Sequence, residues 1–170
     1  QEDYPTALEA LGTIEGLESE PAARAAAAMT QGVLFADYLG DGEAAIPHFE
    51  RALDNDPARP EAFERLDAIA MERDDWELQR GIYRRQLERL GVGGPKEARR
   101  ALHQNLATIA LEKHGDEDLA REHLDKALAL APGDLKVRER LASLTAGADE
   151  HDKAVELYRD LARRDPRNME

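Results

Sequence analysis

The stretch Gly32-Val33-Leu34-Phe35-Ala36-Asp37-Tyr38-Leu39-Gly40-Asp41 has a counterpart 75 positions later, Ala107-Thr108-Ile109-Ala110-Leu111-Glu112-Lys113-His114-Gly115-Asp116. The offset holds downstream without a gap. Ala45 falls on Ala120, Phe49 on Leu124, Ala52-Leu53 on Ala127-Leu128 and Pro57 on Pro132. One offset kept over so many spaced positions marks an internal duplication, and a fixed period is the signature of a repeat architecture. Between the two copies, Phe63, Leu66, Ala70, Trp76, Tyr83 and Leu87 keep the same helix–turn–helix spacing. A further copy follows in Leu141-Ala142, Ala154, Tyr158, Leu161 and Asp165-Pro166. At the start, Asp3-Tyr4, Ala7 and Leu11 read as the second half of a preceding copy.

Helical periodicity agrees with the duplication. Ala45, Phe49, Ala52 and Leu53 fall at i, i+4, i+7 and i+8, one face of a helix, and Ala120, Leu124, Ala127 and Leu128 do the same. Asp41, Asp75, Asp116 and Asp134 stand where helices should begin, because an aspartate oxygen accepts the free N–H groups of a first turn. Pro21 and Pro95 fit a first turn, where no N–H is lost. Asp56-Pro57 and Asp165-Pro166 fit helix ends, since the residue before proline avoids the α region. The pattern predicts nine helices, over 3–17, 22–39, 42–55, 59–73, 75–90, 95–114, 116–131, 134–145 and 150–164. Val92-Gly93-Gly94 is the one loose turn.

Leu39-Gly40-Asp41-x-x-x-Ala45-Ile46-x-x-Phe49-x-x-Ala52-Leu53-x-x-Asp56-Pro57 resembles the second half of a tetratricopeptide repeat, and so does Gly115-Asp116-x-x-x-Ala120-x-x-x-Leu124-x-x-Ala127-Leu128-x-x-x-Pro132. The resemblance covers nearly the whole chain. It implies an all-α, right-handed solenoid of antiparallel helix hairpins, cut from a longer array and bacterial in origin. As one repeat domain over 1–170, it has the second helix of a truncated repeat in 1–20 and repeats at 21–57, 58–94, 95–132 and 133–166. Departures are an extra residue before Gly40 and Gly115, Gln79 and Gln86 where small residues are expected, and Gly91 in place of proline.

Composition narrows the function. Only 5% of the 170 residues are aromatic and 35% are charged, with a net charge of −13. That balance argues against nucleic-acid binding, which needs a basic face, and favours basic protein partners. No apolar run approaches the ~18–20 residues of a membrane-spanning helix, so no membrane insertion is expected. With no cysteine, disulfides and thiolate chemistry are excluded. The five histidines form no HExxH pair; His114 and His123 read as solvated turn residues. Gly91-x-Gly93-Gly94-Pro95-Lys96 lacks the Lys-Ser/Thr ending of a phosphate loop. Ser19 and Ser143 sit in no nucleophile motif. The reading is therefore of no enzyme, no cofactor and no metal.

What the resemblance implies instead is a protein-interaction scaffold, its concave groove lined by the first helix of each repeat and accepting a peptide or helix of a partner. The groove residues it implies are Met29, Thr30, Val33 and Asp37, then Arg65, Ala68, Met71 and Glu72. Gln104, Asn105, Thr108 and Leu111 follow, then Arg140 with Lys136 and Ser143. Second helices are expected to point charges such as Glu50, Arg51 and Glu122 to solvent. Alternatives are an architectural spacer that self-associates through exposed repeat ends, or the regulatory region of a larger enzyme.

Overall fold

The computed structural model describes residues 4–148 and 150–164, and Asp3, the Asp165-Pro166 stop and Arg167–Glu170 lie outside them. Two compact units divide the chain, Gln1–Gly91 and Val92–Glu170. Unit 1 holds α1 (Tyr4–Leu17), α2 (Pro21–Val33), α3 (Gly42–Asn55), α4 (Pro60–Glu72) and α5 (Trp76–Leu90). Unit 2 holds α6 (Lys96–His114), α7 (Glu117–Leu130), α8 (Leu135–Gly147) and α9 (His151–Arg164). No strand occurs among the described residues. Within the units α2 packs on α3, α4 on α5, α6 on α7 and α8 on α9, each pair joined by a short turn.

The helix ends follow from single side chains. Asp41, Asp75, Asp116 and Asp134 each accept from the backbone N–H three residues on, at 2.9, 2.9, 2.9 and 3.2 Å. Pro21 and Pro60 occupy first turns, whereas Pro95 is itself the cap before α6 rather than its first helical residue. Gly40, Asp74 and Gly115 close three first helices with φ of 67°, 52° and 62°. Only glycine adopts that left-handed geometry freely.

Where the sequence expects one helix through residue 39, the chain departs. α2 passes at Leu34–Tyr38 into a π-turn, in which the Leu39 N–H reaches the Leu34 carbonyl at 3.0 Å. The wider turn absorbs the extra residue before Gly40.

Paired helices approach through small residues. Gly32 on α2 is buried against Phe49 on α3, and a Cβ built on Gly32 would lie 2.5 Å from the phenyl ring. The equivalent pair in unit 2 is Ala107 and Leu124, both fully buried in one cluster with Ala110, Ala120, Ala127, Val137 and Leu141. The larger ring takes the missing methyl, and the smaller leucine leaves room for it. In α5 the two glutamines at small-residue positions are buried, and each amide nitrogen finds a different acceptor. Gln79 Nε2 donates to Asp67 at 2.6 Å and Gln86 Nε2 to the Pro57 carbonyl at 2.7 Å.

Glu50 and Arg51 do not point freely to solvent. Arg85 donates to Glu50 Oε1 at 2.5 Å, and Arg89 pairs with the other carboxylate oxygen and, at 2.7 Å, with Asp54. Burial alone would raise the Glu50 carboxyl, but the bonds and charges of Arg85 and Arg89 outweigh it and hold its pKa below the usual value. Arg51 donates to Glu15 on α1 at 2.8 Å. α7's Glu122 is exposed as expected, beside Lys126.

The crossing makes a quantitative prediction. Gly32→Ala gains about 1 kcal/mol of helix propensity but overpacks the Phe49 ring, at a cost of ~1–3 kcal/mol. Urea unfolding should show a net loss for Gly32→Ala, a cavity-type loss for Phe49→Leu, and a double variant far more stable than the two losses summed, because it recreates the Ala107–Leu124 pair. Strict additivity would refute the compensation.

Candidate functional site

In unit 1 the first of the expected groove residues lie on α2. Met29 and Val33 are half-buried and Thr30 is exposed, its hydroxyl donating back to the Ala26 carbonyl at 3.0 Å. The π-turn carries Asp37, which Arg65 on α4 meets in a two-pronged pair at 2.8 and 2.5 Å. The Asp37 hydrogen bond raises the Arg65 pKa further. Ala68, Met71 and Glu72 are exposed on α4, Met71 to 58%.

In unit 2, α6 carries Gln104, Asn105, Thr108 and Leu111, with Asn105 exposed and the others half-buried. The Thr108 hydroxyl donates to the Gln104 carbonyl at 3.1 Å and accepts from Arg140 of α8 at 3.1 Å. Gln104 Nε2 lies 3.4 Å from Asp134, which also pairs with Arg100. A shallow cavity of about 510 Å³ opens beside them, lined by Arg100, Ala131, Gly133, Asp134, Leu135 and Lys136. The structure therefore brings together Asp37 with Arg65, and Gln104 with Thr108 and Arg140. None of the expected groove residues is buried. Such a surface offers hydrogen bonds, charge and polarizable methionine, which are means of holding a chain.

Among the described residues no cluster of three or more His, Cys, Asp or Glu could hold a metal ion, and no helix is long and apolar enough to cross a membrane.

One constellation escaped the sequence. His123 is not a solvated turn residue; it lies in α7, half-buried, with its Nδ1 3.0 Å from Nδ1 of His103 on α6. Burial, then the charges of His123, Lys126 and Arg99, lower the His103 pKa to about 4 against the opposing effect of Glu122. The duplication held a signal for it, since His48 stands 75 positions before His123. His48 also sits in a helix seam, its Nδ1 2.8 Å from Gln31 Oε1 and 2.8 Å from Arg51 Nη2. Burial and Arg51 lower its pKa too, with Glu15 opposing.

No protein-family model matches the sequence, and no curated protein matches it. Solved structures do. YrrB, a TPR protein with an unusual peptide-binding site, superposes with a TM-score of 0.53 at 18% identity, over 94% of this chain and 76% of that one. MamA superposes with a TM-score of 0.52 at 17% identity, over 95% of this chain and 88% of that one. The fold is the tetratricopeptide-repeat fold of antiparallel helix hairpins.

The histidine seams fix the sign of an acid response. A histidine whose pKa is lower folded than unfolded contributes its full stability above the unfolded value, near 6.5, and loses it as pH falls toward about 4. Melting temperature should fall across that window, and His103→Leu should flatten the fall. An unchanged slope in the variant would show that His103 is not the group responsible.

Proposed function

We propose that the chain is a protein-interaction scaffold, without catalytic function, that holds a peptide or helix of a partner along its first helices. In this reading 21–57, 58–94, 95–132 and 133–166 are successive repeats, and the first helices supply the binding surface of each unit, α2 and α4 in the one, α6 and α8 in the other. The observation that carries it is the solvent access of the first helices within each unit: Met29, Val33, Arg65 and Met71 in the one, Asn105 and Arg140 in the other, on helices that bury their opposite sides. The scaffold reading is supported by YrrB, a protein of this fold with a peptide-binding site. A basic partner would gain from the charge of −13, although screening limits that help to about 8 Å at ~0.15 M salt.

A second reading, self-association, is supported by apolar surface on α1 and α9. Ile14 and Leu17 are 46% and 81% exposed, Val155 and Tyr158 43% and 45%. Sedimentation that shifts to larger species with concentration, and reverts in Val155→Glu with Tyr158→Glu, would favour it.

The leading reading is tested with peptides selected by display against the protein. Arg65→Glu with Met71→Glu should weaken them about tenfold or more without loss of helicity, because both side chains are accessible and the Asp37 pair is worth only about 1 kcal/mol or less. Glu88→Lys, on the exposed side of α5, should change little. Peptides that ignore the first pair and are lost with the second would put the binding surface on the other side.

A further inference from the structure

α1 and α9 each cover one side and leave an apolar line open on another. On α1 the covered side is fixed by Tyr4, whose ring stands 5.6 Å from that of Tyr38, and by Glu15, which accepts from Arg51 at 2.8 Å. Ala10, Ile14 and Leu17 fall at i, i+4 and i+7, one line along the helix, and all three are exposed. The Glu18 N–H still reaches the Ile14 carbonyl at 2.9 Å, so the helical turn sets the exposed Glu18 at the edge of that line. On α9 the covered side is fixed by Ala154, which is buried, and by Leu157, packed on the cluster that holds Leu124, Val137 and Leu141. Val155, Tyr158 and Ala162 fall at i, i+3 and i+7, the first two exposed and Ala162 half-buried, with the exposed Arg159 at i+4 beside them. Ala10 to Leu17 and Val155 to Ala162 are both 7 residues apart, about 10 Å of helix rise, so the two lines match in length.

Charge decides which line meets which. Residues 4–20 hold Glu9, Glu15, Glu18 and Glu20 and no Lys or Arg. α9 holds Lys153, Arg159, Arg163 and Arg164 against Asp152, Glu156 and Asp160, a net +1. The units around them differ in the same sense. Residues 1–91 hold 9 Lys/Arg and 20 Asp/Glu, a net −11, while residues 92–170 hold 14 and 16, a net −2. Between two copies, α1 on α1 would set one strongly acidic unit against another, with Glu18 facing its own kind. α9 on α9 would do the same with Arg159. Of the three pairings, α9 of one copy on α1 of another is the one that joins unlike charges.

Resting on the self-association reading, we propose that α9 of one copy docks along α1 of a second copy, with Val155, Tyr158 and Ala162 against Ala10, Ile14 and Leu17. The contact removes apolar surface from water. The surrounding charges select this pairing over the two like-with-like ones and speed encounter, more than they add affinity. The two copies contribute different surfaces, so each keeps a further line for another neighbour and association does not close at a pair.

Two variants of the whole chain test it by sedimentation velocity. Ile14→Ser with Leu17→Ser removes the α1 line, and Val155→Ser with Tyr158→Ser removes that of α9. The unaltered chain should form species larger than a dimer as concentration rises. Each variant alone should associate about tenfold more weakly or worse, with its helical circular dichroism unchanged. Mixed in equal amounts the two should form one-to-one pairs and nothing larger, because each keeps the line that the other has lost, and that pairing also shows both to be folded. Undiminished association of either variant alone overturns the α9-on-α1 pairing and leaves self-association standing, as does a mixture that stays monomeric where the unaltered chain associates. An unaltered chain that is monomeric at every concentration overturns both.

Discussion

Two helices can lie closely side by side only where one of them presents almost no side chain, and the rest of this structure depends on that constraint. At the α2–α3 crossing the vacancy is Gly32, filled by the ring of Phe49; at α6–α7 it is Ala107, matched to Leu124. Both solutions bury the seam completely with different divisions of the same volume. Close packing leaves little slack for either partner to change alone. Once the seams are spent on packing, each first helix keeps a side that its own hairpin does not bury. That open side is a consequence of the fold before it is a binding surface.

Much of this was legible in the sequence because each signal acts locally. Asp41, Asp75, Asp116 and Asp134 cap the helices they were read to begin. The duplication offset located both crossings, since Phe49 and Leu124 are aligned by it. The π-turn was not legible. An extra residue before Gly40 can be absorbed by a wide turn or by a longer regular helix, and α6 carries the same insertion through to His114 in α geometry. Spacing alone does not choose between the two.

The polar seams were also hidden, because their partners are far apart in sequence. Glu50 looks like an outer-face charge until Arg85 and Arg89 arrive from α5, 35 and 39 residues later. His103 has no local motif, and His123 becomes its half-buried partner only when the α6–α7 hairpin closes. The solvent access of the first-helix residues was easier to foresee, since it follows from helical phase. Their pairing was not: the Asp37–Arg65 bridge and the Arg140–Thr108 bond both join residues about thirty positions apart and depend on side-chain reach. In the proposed reading, a ligand on the first helices must either use those bonds as they stand or compete with them.

The central claim, that the first helices hold the partner, can be read directly from methyl and indole NMR resonances. Met29 and Met71 lie on the first helices α2 and α4, and Trp76, the single tryptophan, opens the second helix α5. In protein labelled at methionine methyls and the tryptophan indole, a bound display-selected peptide should shift Met29 or Met71 and leave Trp76 nearly unmoved. A peptide that shifts Trp76 while both methionine methyls stay in place would contradict the account.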